Sequence, residues 1–300
     1  MIRKYLSAVF VLLVMSGNAP GQTGPHTSIT DGYTATRTGI RLHYLQSGQN
    51  DSTRALVLIP GWRLPAYLWD EQLRTFGQLT RVVAVDPRSQ GESTKTTEGN
   101  SPESRAKDLH DVLANLRITR SVLVGWSQGA QDVAAYVNQF GTESVAGIVF
   151  VDSPASIGPA EVETHKEFSK VILSDIQSYA EHPDQYSRGM VESLFKQPPP
   201  GLDMKKLVDA TLRTPTDIGI AMVVMDIFGA DRDSPLAKLN TPALVIASAS
   251  SPLLDLQKAM ATRMPRAQFV VIEGTGHAVF VDRPSEFDGA IKAFLKSIDY

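Results

Sequence analysis

Ser121-Val122-Leu123-Val124-Gly125-Trp126-Ser127-Gln128-Gly129 carries an apolar run straight into a serine set between two glycines. Val122–Val124 read as a buried strand, and Ala130–Phe140 as a helix with Val133, Ala134 and Val137 on one face. A strand that passes into a helix through Gly-x-Ser-x-Gly makes a sharp elbow. The turn needs strained backbone angles and close backbone contacts that side chains would obstruct, hence the glycines. The serine hydroxyl is then expected at the top of a sheet.

Outward from the elbow, short β-branched runs alternate with amphipathic stretches, which predicts a mostly parallel sheet covered by helices on both faces. Tyr33–Arg37 and Ile40–Gln46 form an opening pair of strands, followed by strands at Ala55–Ile59 and Arg81–Val85 with a helix at Tyr67–Phe76 between them. Ser101 and Pro102 start a long helix whose buried stripe is Leu109, Val112, Leu113 and Leu116. Gly147–Val151 is the sixth strand. Residues 156–236 then hold helical patterns only, before strand Ala243–Ala247, a helix near Leu253–Met264, strand Gln268–Glu273 and a last helix over Pro284–Ile298. The chain therefore divides into a leader (1–21), a core in two parts (22–155 and 237–300) and a helical cap (156–236) inserted after the sixth strand.

Composition narrows the function classes. The 300 residues are 42% hydrophobic and 20% charged with a formal net charge of −3, which argues against nucleic acid or an anionic membrane as the main partner. The absence of cysteine excludes disulfides, thiolate catalysis and cysteine metal sites. Arg3 and Lys4, the apolar run Tyr5–Met15 and the small residues of Ala19-Pro20-Gly21 form an export signal. The run is too short to span a bilayer comfortably. The expected mature chain starts near Gln22, is periplasmic or secreted, and keeps no stable membrane anchor.

A serine hydroxyl needs a neighbouring base, usually histidine, and that base needs a third group to hold its tautomer. Of six histidines, His26 lies in the leader and His43 in an early strand, while His110, His165 and His182 lie in helical segments and read as solvated. His277 follows the last strand in Gly274-Thr275-Gly276-His277, on the sheet edge where catalytic groups gather. The oxyanion formed by acyl attack needs two fixed N–H donors. The backbone of Gln128, directly after the nucleophile, and of Trp62, in Pro60-Gly61-Trp62 after the third strand, are the expected pair. Trp62, Trp126, Met222, Val223, Met225 and Phe228 are candidates to line an apolar acyl pocket, or equally to be core packing. No metal site or phosphate loop is evident, and no cofactor is required.

These motifs, in this order, resemble the α/β-hydrolase superfamily over residues 30–300. The resemblance rests on Pro60-Gly61-Trp62, on Asp86-Pro87-Arg88-Ser89-Gln90-Gly91-Glu92-Ser93, on the elbow and on Gly276-His277. The family commonly has His-Gly at the first and Arg-Gly-His-Gly-x-Ser at the second; here Pro60 replaces the histidine, and Ser89-Gln90 replaces Gly-His. The family usually places its acid just beyond the strand before the histidine strand, where this chain reads Ala247-Ser248-Ala249-Ser250-Ser251-Pro252. Some branches, including haloalkane dehalogenases and cofactor-free ring-cleaving dioxygenases, resemble this chain in placing an acid after the strand that follows the elbow. The resemblance thus implies Asp152 as the partner of His277, the alternative being a cap for the turn at Ser153-Pro154.

The expected activity is cleavage of a small or medium carboxylic ester, or a lactone, by Ser127, His277 and Asp152. Two other readings stand beside it. One is a cofactor-free dioxygenase-like enzyme using only the His277–Asp152 dyad. The other is a non-catalytic binding protein on a hydrolase scaffold. The sequence leaves the substrate and the oligomeric state open.

Overall fold

The computed structural model describes residues 28–156, 162–163 and 166–300. The leader read over residues 1–21 lies outside the described residues, as do 157–161 and 164–165 of the helical segment. Among the described residues no helix is long and apolar enough to cross a membrane.

Eight strands form one sheet: β1 (Thr30–Ala35), β2 (Arg41–Ser47), β3 (Arg54–Ile59), β4 (Arg81–Val85), β5 (Arg120–Trp126), β6 (Val145–Val151), β7 (Ala243–Ser248) and β8 (Ala267–Ile272). Their order is β1-β2-β4-β3-β5-β6-β7-β8. β1 and β2 pair antiparallel, as do β2 and β4, and the remaining pairs are parallel. The chain winds away from β3 in both directions, so the crevice between β3 and β5 is the topological switch point where ligands bind in such sheets. Register sets what faces that crevice. Ile59 pairs with Gly125, Trp126 with Val151, and Val151 with Ile246. The residues that follow these ends, Gly61-Trp62, Ser127 and Asp152, therefore leave the sheet along one edge.

The strands of the centre are apolar on both sides because helices cover both faces. On one face pack α1 (Asp70–Gly77) and the last helix, α10 (Pro284–Ser297), through Trp69, Phe76, Phe287 and Phe294. On the other pack α2 (Pro102–Asn115), α3 (Gln128–Phe140) and α8 (Leu254–Arg263), through Leu109, Val112, Val133, Tyr136 and Met260. Ser101 caps α2 by accepting from the Ser104 N–H, with Pro102 in the first turn. The helix expected at Tyr67–Phe76 is split. Ala66–Trp69 forms a 3₁₀ turn ahead of α1, its first N–H held by Asp86 Oδ1 at 2.6 Å. Between β6 and β7 run α4 (Lys166–Glu181), α5 (Pro183–Ser193), α6 (Met204–Leu212) and α7 (Thr216–Phe228). A short helix, α9 (Val279–Asp282), follows the histidine loop and has no counterpart in the sequence reading.

At the elbow the two glycines are required by space. A Cβ on Gly125 would stand 2.2 Å from the Gly129 carbonyl oxygen, and one on Gly129 would stand 2.4 Å from that of Ile59. Both obstacles are backbone, so neither can swing aside. Gly129→Ala is expected to cost about 3 kcal/mol or more, read as a fall in the urea midpoint at unchanged slope.

Candidate active site

Ser127 takes the bend at φ 55° and ψ −121°. A non-glycine residue held there stores on the order of 1–3 kcal/mol of strain. The strand and helix on either side hold it: Ser127 N–H donates to Val151 O at 3.1 Å, and Ser127 O accepts from Ala130 N–H at 2.9 Å. The side chain is half-buried. Gly61 is so close that a Cβ there would lie 3.0 Å from Ser127 Cβ, which brings the Gly61–Trp62 backbone up to the hydroxyl.

Asp152, at φ 46° and 2% exposed, turns its side chain toward His277 rather than capping its own turn. Its Oδ2 meets His277 Nδ1 at 2.7 Å. Its Oδ1 accepts from Ser248 N–H at 2.9 Å and from Gln257 Nε2 at 3.3 Å. The contact with the carboxylate places the imidazole proton on Nδ1 and leaves Nε2 free to accept one. The loop bearing His277 is pinned from three sides. Ser248 and Ser250 hydroxyls donate to Thr275 O at 3.0 and 2.8 Å, Gly276 N–H donates to Asp282 Oδ2 at 2.6 Å, and Trp126 Nε1 donates to His277 O at 2.9 Å. The serine-rich stretch after β7, where the family usually carries its acid, thus secures the histidine loop and orients Asp152.

Ser127, Asp152 and His277 line one cavity of about 260 Å³, with Trp62, Ile172, Ile176, Ile220, Val223 and Leu253 among its apolar walls. No hydrogen bond joins Ser127 Oγ and His277 among the described residues. Such nucleophile–base contacts commonly tighten only when substrate binds. The backbone N–H groups of Trp62 and Gln128 take no part in any hydrogen bond among the described residues. Their side chains are both held by α7. Trp62 Nε1 donates to Gly219 O at 3.0 Å, and Gln128 Nε2 donates to Asp226 Oδ2, while Gln90 Nε2 donates to Gln128 Oε1 at 3.2 Å. Gln90 stands where the family commonly has histidine, and Ser89 before it adopts φ 65° where the family has glycine.

Behind Gln128 lies a buried charge cluster that sequence reading missed. Arg105 bonds Asp132 through Nε at 2.8 Å and Asp226 through Nη2 at 2.8 Å, and all three are buried. One guanidinium is shared by two carboxylates. Burial pushes Asp132 from 3.8 up to about 7, the Arg105 charge opposing the shift and the Asp226 charge adding to it. A carboxyl raised in the folded state holds a proton there that the unfolded chain has released. Asp132 therefore makes stability fall as pH rises from about 4 to about 7, with no further loss from this group above that. Asp132→Asn is expected to flatten the dependence of the urea midpoint on pH across that window.

Four of the candidate pocket residues are corrected by the structure. Trp126 does not line the cavity; it is buried beneath His277, with ring centroids 5.3 Å apart, against Trp69 and Phe280. On α7 the wall is formed by Ile220, Val223, Asp226 and Ile227, which share one face. Met222 lies in the packed interior, while Met225 and Phe228 turn outward, 38% and 37% exposed. Trp62 and Val223 do line the cavity. His43 is a buried structural residue whose Nδ1 meets Asp86 Oδ2 at 2.8 Å. His110 is stacked on Phe140 at 4.2 Å rather than solvated, and His182 is exposed. His26 and His165 lie outside the described residues. Among the described residues no group of three or more His, Cys, Asp or Glu is placed to hold a metal ion.

Residues 56–290 match the profile of the alpha/beta hydrolase family. The chain is 26% identical to a non-heme chloroperoxidase of Kitasatospora aureofaciens over 259 residues, 81% of this chain and 91% of that protein. It is 30% identical to a bifunctional esterase/perhydrolase of Acinetobacter calcoaceticus over 151 residues, 49% of this chain and 53% of that protein. Among solved structures, a Rhodococcus esterase superposes with a TM-score of 0.77 at 26% identity, covering 89% of this chain and 99% of that one.

Proposed function

The chain belongs to the alpha/beta hydrolase family, and from that premise we propose that it is a serine hydrolase cleaving a small or medium carboxylic ester, or a lactone, through an acyl-enzyme at Ser127. The observation that carries the reading is the buried Asp152 carboxylate 2.7 Å from His277 Nδ1, on the wall of the cavity that Ser127 also lines. His277 Nε2 takes the Ser127 proton as Oγ bonds to the substrate carbonyl carbon, and the carbonyl π pair moves onto oxygen. The N–H groups of Trp62 and Gln128 hold that oxyanion. Its collapse expels the alkoxide, which takes the proton from His277. Water then attacks the acyl carbon, gives a proton to Nε2, and the second oxyanion collapses to release the acid and restore Ser127. The cationic and apolar leader supports placing this reaction in the periplasm or outside the cell.

Short p-nitrophenyl esters and a fluorophosphonate probe test the proposal. Ester turnover together with a single adduct on Ser127 is expected. The dyad-only and binding-only readings both predict that ester turnover does not depend on Ser127, so turnover that survives Ser127 labelling would favour them. The names of two relatives favour one extension: hydrogen peroxide in place of water would open the same acyl-enzyme to a peracid. Peracid formation from an acetate ester and peroxide, lost with the Ser127 adduct, tests that extension.

A further inference from the structure

Among the described residues each carboxylate on the wall of the cavity has a bonded partner except one. Asp152 meets His277, and Asp226 meets Arg105 and Gln128. Asp175, on α4, lines this cavity and also an adjoining one of about 500 Å³ that shares Trp62, Ser127, Tyr186 and His277 with it. Among the described residues its carboxylate forms no hydrogen bond or ion pair, and no Lys or Arg lines either cavity. Arg63 stands behind the wall, fully buried, its guanidinium 4.1 Å from the ring centroids of Trp62 and of Tyr179 and bonded to Ser187 Oγ at 3.0 Å. Burial holds the Asp175 carboxyl above the usual carboxylate range. Burial, with the Asp175 charge adding to it, pushes the Tyr186 hydroxyl up to about 12. Asp175 is therefore a carboxylate on the cavity wall with no bonded partner among the described residues.

We infer that the missing partner comes with the substrate: Asp175 selects esters that carry a protonated amine or quaternary ammonium group and disfavours esters with a free carboxylate. The inference rests on the ester-hydrolase reading above. A cation seated in the cavity recovers the interaction that a half-buried, unmatched carboxylate lacks, at an effective dielectric well below that of water. The rings of Trp62 and Tyr186 give its alkyl groups an apolar, electron-rich wall.

The test uses paired esters that differ only in charge. One pair is butyrylcholine and the carbon isostere of its quaternary nitrogen, which puts the charge in the alcohol half. The other is the p-nitrophenyl ester of trimethylammoniobutanoic acid and its carbon isostere, which puts it in the acyl half; p-nitrophenyl hemiglutarate supplies the anion. The wild-type protein is expected to favour the cation by about tenfold in kcat/KM in at least one pair, and to disfavour the anion by a similar factor. Added salt should shrink both ratios. Asp175→Asn is expected to bring the cation ratio close to one, Asp175→Glu to keep it, and Asp175→Lys to favour the anion. Ratios near one in both pairs of the wild type, or a preference that persists in Asp175→Asn, overturn the inference while the hydrolase reading stands. Failure to turn over any of the esters, with no Ser127 adduct, removes both.

Discussion

Ser127→Ala is expected to lower kcat for p-nitrophenyl butyrate by about 10⁴- to 10⁶-fold, with KM changed only a few-fold. The variant keeps the backbone strain at φ 55°, because alanine meets the same steric limits as serine. It keeps the N–H groups of Trp62 and Gln128 and the cavity walls, so ester binding persists. What it loses is the hydroxyl proposed as the nucleophile. The residual rate is then what the oxyanion donors and positioning alone supply, about 10³–10⁴ over water where such triads have been dismantled. Fluorophosphonate labelling should disappear in the same variant. A Ser127→Ala protein with wild-type kcat would remove Ser127 from the chemistry.

Asp152→Asn is expected to lower kcat by about 10⁴-fold, and the local hydrogen bonds give the reason. Oδ1 accepts from Ser248 N–H and Gln257 Nε2. In asparagine the amide oxygen must stay there, because an NH₂ group would leave three donors facing one another. The NH₂ group then faces His277 Nδ1, which has to become an acceptor. The imidazole proton moves to Nε2, the nitrogen that takes the Ser127 proton in the proposed reaction. The cavity keeps its shape while the base is in the wrong tautomer. Steady-state kinetics should show the loss in kcat with little change in KM. A loss of tenfold or less would mean that His277 is held in its tautomer by something other than Asp152.

The fold was legible because its signals are local. Gly125 and Gly129 are demanded by backbone atoms 2.2 and 2.4 Å from where a Cβ would stand, and the strands on either side are continuous apolar runs. Asp152 was legible as the residue just past β6 at the right sheet edge, while its company was not: Ser248 and Gln257 come from segments about a hundred residues away. The lining of the cavity was obscured by α7, whose stretch Ile218–Phe228 is apolar on every side except at Asp226. Such a helix carries no periodic polarity to say which face turns inward. Burial was decided by neighbours from other segments, which is why Ile220 and Val223 line the cavity and Met225 and Phe228 do not. Asp226 did carry a signal, since a lone acid in an apolar run implies a buried cation, here Arg105. Asp175 carried none, because an acid in an amphipathic stretch, here between Leu173-Ser174 and Ile176-Gln177, reads as part of a solvated helix face.

Two of the contacts described above belong to a single helix. Through Gly219 and Asp226, seven positions apart and so two turns along α7, the helical insertion grips Trp62 and Gln128, the two proposed oxyanion donors. The helix that lines the cavity thus also fixes the side chains of those two residues. Transplanting a relative's insertion onto this core to change what the enzyme accepts also unfastens both N–H-bearing loops, unless the graft keeps a carbonyl opposite Trp62 and a carboxylate between Gln128 and Arg105.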